Sequence, residues 1–66
     1  MRRLEAELRA RGISQSELAR MTGINRVSIN RMLHGKEVPW PKWRVAIADA
    51  IDWPVDRAAE LFEEMM

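Results

Sequence analysis

Between residues 26 and 31 the chain gathers two guanidinium groups, a primary amide and a hydroxyl around one β-branched apolar side chain: Arg26, Val27, Ser28, Asn30 and Arg31. These groups offer directional hydrogen bonds rather than bond-breaking chemistry. A guanidinium can donate two parallel bonds to O6 and N7 of guanine, an amide can pair with adenine, and an outward valine can meet a thymine methyl. Ser28 can bond a base or a phosphate, or instead cap Asn25 locally. The rest of the sequence offers little reactive chemistry. It has no cysteine, a single histidine (His34), no carboxylate pair and no glycine-rich phosphate loop. An enzyme is therefore not expected, nor a metal, a cofactor or a small-molecule ligand, and so short a chain leaves no room for a sizeable pocket.

The elements that must hold these side chains can be read from apolar spacing and from helix stops. Leu4 and Leu8 lie one helical turn apart, and Gly12 follows as a stop, which predicts a helix over about 2–11. Ser14-Gln15-Ser16-Glu17 has the spacing of a capping box and opens a second helix over about 15–21. Thr22-Gly23-Ile24 is too short for a flexible loop, and its glycine permits the left-handed backbone of a sharp turn. Asn25 is a good cap for a third helix over about 26–33, with Ile29, Met32 and Leu33 on its inner side and Gly35 beyond its end. Val38-Pro39-Trp40-Pro41 reads as a rigid connector into a fourth helix over about 41–51, whose apolar stripe is Trp43, Ile47, Ala50 and Ile51, with Ala48 allowing close approach. Asp52-Trp53-Pro54 breaks it, and a fifth helix over about 55–64 carries Ala58, Leu61, Phe62 and Met65 on one face. No strand pattern, repeat or low-complexity segment interrupts this all-α series.

Sixty-six residues suffice for one domain, 1–66, held by packing or oligomerisation rather than by disulfides or metal. No apolar run approaches the roughly 20 residues of a membrane span, and the N-terminus lacks the apolar core of a signal peptide, so a soluble, cytoplasmic protein is expected. Net charge is only +1, but residues 1–44 hold ten basic side chains against four acidic ones, whereas 45–66 hold one against six. Such a chain can present its basic end to phosphates and keep the other away, although solvated helix faces would give the same count. Trp40 and Trp43 read as core or hinge packing before base stacking, and Met21, Met32, Met65 and Met66 as filler or surface.

The spacing of Gly12-Ile13-Ser14-Gln15, Glu17-Leu18-Ala19, Gly23-Ile24, Ser28-Ile29, Met32, Gly35-Lys36, Pro39, Ile47-Ala48 and Ala50-Ile51 resembles the Cro/repressor helix-turn-helix family, also called the XRE or lambda-repressor-like family. The resemblance spans nearly the whole chain. It implies a compact five-helix fold with a helix-turn-helix, whose third helix enters the major groove of DNA. Two departures stand out. Many members carry an arginine and a glutamate where this chain has Leu8 and Leu33, and those two usually pair between the first and third helices; an apolar contact is a plausible replacement, since a buried ion pair returns little net energy. Ala58 and Ala59 also stand where leucine is common.

Five positions are thus expected to read bases: Arg26, Val27, Ser28, Asn30 and Arg31. Phosphate contacts are expected from Gln15, Ser16 and Asn25 at helix starts, where free amides favour anions, with Gln15 resembling the family's phosphate-binding glutamine. Lys36, Lys42, Arg44 and His34 flank the third helix as further phosphate candidates, His34 reading first as an exposed residue ahead of a glycine cap. One copy reads few base pairs, so a homodimer on an inverted repeat is expected, with Leu61, Phe62, Met65 and Met66 as its interface. The leading expectation is a sequence-specific transcriptional regulator, a small repressor of phage or mobile-element type in a bacterial cytoplasm, with double-stranded DNA as its partner. The alternative is an antitoxin or other protein-interaction module on the same fold, with a protein partner at the acidic, apolar fifth helix.

Overall fold

The computed structural model describes residues 2–65, with side chains described over 3–62. Four α-helices run in order, α1 (Arg2–Arg11), α2 (Gln15–Thr22), α3 (Arg26–Leu33) and α4 (Pro41–Ala50), followed by a 3-10 helix at Val55–Met65. Among the described residues there is no strand, and no helix is long and apolar enough to cross a membrane.

The helices begin and end where side-chain chemistry dictates. At the start of α2 the Ser14 hydroxyl accepts from Glu17 N–H (3.1 Å), and Glu17 Oε1 accepts from Ser14 N–H (3.1 Å), so both halves of the capping box form. The helix closes on Gly23, whose φ of 76° lets its N–H reach Ala19 O at 2.8 Å. Thr22 tightens the same turn: its hydroxyl donates to Leu18 O at 2.7 Å and accepts from Ile24 N–H at 3.2 Å. Helix α4 stops at Ala50, one residue short of the expected end. Asp52 there takes a left-handed φ of 59°, and Trp53 N–H reaches back to Ala48 O at 2.8 Å while Asp52 N–H reaches Asp49 O at 3.1 Å. This is the six-to-one and five-to-two pairing of a Schellman motif, built on aspartate instead of glycine.

The last element departs from the sequence reading in type. Apolar residues at 58, 61 and 62 fit a period of 3.6 or of 3, and the structure adopts the tighter winding. Residues three apart eclipse on a 3-10 helix. Arg57 and Glu60 stand in this relation and form a two-pronged pair, Nε to Oε2 and Nη2 to Oε1, both at 2.8 Å. Trp53 braces the entry, donating from Nε1 to Arg57 O at 3.0 Å, with the guanidinium groups of Arg3 and Arg57 lying 5.5 and 5.6 Å from the centre of its ring.

All five elements contribute to one core of Leu4, Leu8, Leu18, Ile24, Ile29, Met32, Leu33, Ile47, Ala48, Ile51, Ala58, Leu61 and Phe62. Leu8 and Leu33 both lie in it and border one hollow at the α1–α3 boundary, so apolar burial stands where an ion pair was the family's habit. Leu61 and Phe62 are essentially inaccessible, which corrects their assignment to a dimer surface: with alanine at 58, the 3-10 helix needs both bulky side chains to close its own core. Met66 and the side chain of Met65 lie outside the described residues. Arg11 adds a polar tie, donating from Nε to Ile51 O at 2.9 Å and pairing with Glu7.

Two substitutions at the helix stops should shift stability in opposite directions. A Cβ at Gly23 meets no atom within 4 Å, so Gly23→Ala is opposed by backbone strain alone and should cost about 1–2 kcal/mol. Asp52→Gly relieves the same kind of strain and should gain about 1 kcal/mol, read as a rise of roughly 4–8 °C in melting temperature. Acid should also weaken the fold. Glu17 is held below the ordinary glutamate range by hydrogen bonds from the Ser14 backbone and hydroxyl, and Glu60 by its hydrogen bonds from Arg57. A lowered folded pKa gives stability that is complete above the unfolded value and is lost as pH falls through the folded one. Urea midpoints should therefore decline below the ordinary glutamate pKa, and Glu17→Gln with Glu60→Gln should flatten that decline.

Candidate nucleic-acid interface

The packing of α3 decides which of its side chains face outward. Ile29, Met32 and Leu33 are buried, which leaves Arg26, Val27, Asn30 and Arg31 exposed and Ser28 half-buried. Val27 is 63% exposed, so an apolar side chain stands among polar ones at the outer start of the helix. Asn25 fixes that start, its Oδ1 accepting from Val27 N–H at 2.8 Å. That bond uses only the Asn25 Oδ1 and leaves its Nδ2 group able to donate.

Gln15, at the first turn of α2, meets α3 through a hydrogen bond from Asn30 Nδ2 to Gln15 Oε1 at 3.2 Å. Asn30 keeps its Oδ1 and a second N–H, the pair an amide needs for adenine, while Gln15 keeps an Nε2 donor beside the α2 N-terminus. Gln15, Arg26, Val27 and Asn30 line one shallow hollow, and Asn30, Arg31, His34 and Lys36 line the next. Because Asn30 belongs to both, the two form a continuous strip along α3.

At the far end of the strip His34 Nδ1 lies 2.8 Å from Asn30 O. A carbonyl can only accept, so Nδ1 carries the proton and Nε2 remains for another partner. His34 thus caps the end of α3, a contact not expected from the sequence, and is exposed ahead of Gly35 as expected. Arg31 Nε pairs with Glu37 Oε1 at 3.7 Å. Lys42 belongs elsewhere, to a hollow shared with Trp40 and Trp43, and Arg44 is half-buried on α4. Trp43 packs partly against the core, whereas Trp40 is 64% exposed, which corrects its reading as packing: it caps α4 between two prolines, and its extended backbone carries it off the core. Ser16 is exposed in the first turn of α2.

Charge on this side is sharpened by the pairing of its acids. Of the four carboxylates in residues 1–44, Glu5 pairs with Arg9, Glu7 with Arg11 and Glu37 with Arg31, while Glu17 is engaged in its capping box. Among the described residues Arg26, Lys36 and Lys42 make no ion pair, so their charges stand uncompensated toward solvent.

Residues 3–53 match the Cro/C1-type HTH DNA-binding domain. The chain belongs to the Cro/C1-type helix-turn-helix family. The matched span runs from α1 through Trp53 and so covers all four α-helices, including the α2–turn–α3 unit and its polar strip. It ends just before the 3-10 helix, the element whose winding departs from the sequence reading. Comparison with curated proteins and with solved structures returned no match. As a Cro/C1-type domain the chain is a DNA-binding regulator, with double-stranded DNA as its partner.

Sequence reasoning located the exposed face of α3 but missed two of its supports. The Gln15–Asn30 bond joins residues 15 apart, a separation that no local rule signals. Glu37 had a signal that was readable in retrospect: it is the only acidic residue between 18 and 48. Replacing Gln15 with alanine should free the Asn30 amide and remove a donor at the α2 start. Affinity for DNA should then fall, and discrimination between matched and mismatched sites should fall with it, as read by titration of both.

Proposed function

We propose that this chain is a sequence-specific transcriptional repressor of the small phage or mobile-element type, which binds an inverted-repeat operator as a homodimer with α3 in the major groove. The observation that carries the reading is the polar strip of α3, backed by a buried face and anchored at both ends. Arg26 and Arg31 read guanine, Asn30 reads adenine, Val27 meets a thymine methyl, and Ser28 contacts a neighbouring base or phosphate. Gln15, Ser16, Lys36, Lys42 and Arg44 hold phosphates, and His34 joins them only in its doubly protonated form, in which Nε2 also donates.

Size supports the dimer. The chain measures 24 × 24 × 21 Å, shorter than the roughly 34 Å of one DNA turn, so one copy fits one half-site and a second would sit about 10 base pairs away on the same face. With Leu61 and Phe62 in the core, a second copy has Met21, Val38, Trp40, Val45 and Val55 as exposed apolar side chains to cover among the described residues. Occupying an operator would repress by excluding polymerase, with protein concentration setting occupancy.

Selection of sites from random DNA, followed by titration against rising salt, tests the proposal. An inverted repeat should emerge, and log affinity should fall linearly with log salt. Arg26→Ala should relax one base position by about 1–3 kcal/mol, whereas Lys42→Ala should weaken all sequences alike and reduce the salt slope by about 1. Binding without sequence preference or without salt dependence would overturn it.

A further inference from the structure

Glu37 is an odd residue to find beside a DNA-facing helix. Between residues 18 and 48 it is the one acid among six bases, Arg20, Arg26, Arg31, Lys36, Lys42 and Arg44. An acid here opposes the approach of phosphates, so neutral solvation alone gives no reason for it. The backbone brings it in deliberately close. Helix α3 closes with Gly35 N–H donating to Met32 O at 3.0 Å and Lys36 N–H donating to Arg31 O at 2.8 Å, and Gly35 has φ of 71°. That reversal folds the chain back past the last turn of α3 and sets Glu37 against Arg31, Nε to Oε1 at 3.7 Å. The Glu37 side chain is 29% exposed and that of Arg31 58%, so the acid is the sheltered member and the guanidinium the presented one.

We propose that Glu37 is a positioning residue that makes Arg31 a reader of a base edge instead of a clamp on a phosphate. The inference rests on the DNA-reading function proposed above for α3. Two properties of the pair carry it. First, the carboxylate lies against Nε while the Arg31 side chain stays 58% exposed, so the guanidinium remains open to the O6 and N7 of a guanine. Second, the pair as a unit is neutral. A phosphate clamp works by net positive charge and the counterions it releases, which a neutral pair does not supply, whereas the donor geometry needed for a base is undiminished. Arg31 also lines the hollow shared by Asn30, His34 and Lys36, so Lys36 supplies the uncompensated charge next to it.

Four proteins decide the matter: wild type, Arg31→Ala, Glu37→Gln and the double variant R31A/E37Q, each titrated against the selected site, single-base variants of it and unrelated DNA over a range of salt. Melting curves confirm that all four fold. Arg31→Ala should lower discrimination at one base pair by about 5- to 150-fold. Glu37→Gln should lower discrimination at that same base pair by at least about twofold while tightening unrelated DNA. The double variant keeps the wild-type net charge, and should lose discrimination there with its salt slope unchanged. A double variant whose slope falls by about 1 with discrimination intact would make Arg31 a phosphate clamp and overturn the inference. So would a Glu37→Gln that tightens every sequence equally. Both outcomes leave the repressor reading standing. A wild type with no sequence preference at all would instead remove that reading, and this one with it.

Discussion

Each α-helix of this chain is only eight or ten residues long, below the length at which an isolated helix persists in water. None can stand without the others, and the shared burial of thirteen apolar side chains is what sustains them all. Helix α3 shows the dependence most directly. Its inner face of Ile29, Met32 and Leu33 meets Leu18 and Ile24 from α2 and the turn, and Leu8 from α1, within one core. The outward direction of Arg26, Val27, Asn30 and Arg31 is a by-product of that burial, because the side chains of a helix are fixed relative to one another.

Short helices also need defined ends, and this chain spends much of its local chemistry on them. Gly23 and Asp52 both end helices with a left-handed residue and backward hydrogen bonds, yet one does so without strain and the other against it. The Asp52 stop is held from outside. Trp53 follows it at once with the guanidinium groups of Arg3 and Arg57 both over its ring, and Arg3 in turn reaches Glu60 at 3.9 Å. The start of α1 and the 3-10 helix are thereby joined through one indole ring. This junction is remote in sequence from α2 and α3, which it supports only through the common core.

The local features were the legible ones. The capping box at Ser14 and Glu17, the Gly23 turn, the Asn25 cap and the inner residues of α3 follow from spacing alone, and the starts of all five helical elements fell where expected. What escaped depended on distance or on ambiguous period. Ala58, Leu61 and Phe62 satisfy both the 3-10 and the α repeat, so the type of the last helix was not readable, and neither was the depth to which Leu61 and Phe62 are drawn inward. Trp40 was misread because aromatic size argues for burial while its position between Pro39 and Pro41 argues against it, and the backbone prevailed. At the interface the outward residues were evident, but the Gln15–Asn30 bond and the Arg31–Glu37 pair required the folded chain.

The division between the inner and outer sides of α3 has a consequence for how such a protein can change. Caps, stops and buried contacts fall on Asn25, Ile29, Met32, Leu33 and Gly35, whereas Arg26 and Val27 share none of these duties. On the proposed reading of α3, those two outer positions form a label that can be rewritten while its mount is kept, so descendants could drift to new DNA sites without passing through unfolded intermediates. Asn30 and Arg31 are less free, each being tied to a partner outside the helix, and a new letter there calls for a matching change at Gln15 or Glu37. The alphabet of this helix is therefore unevenly evolvable, open at its first turn and grammatically bound at its last.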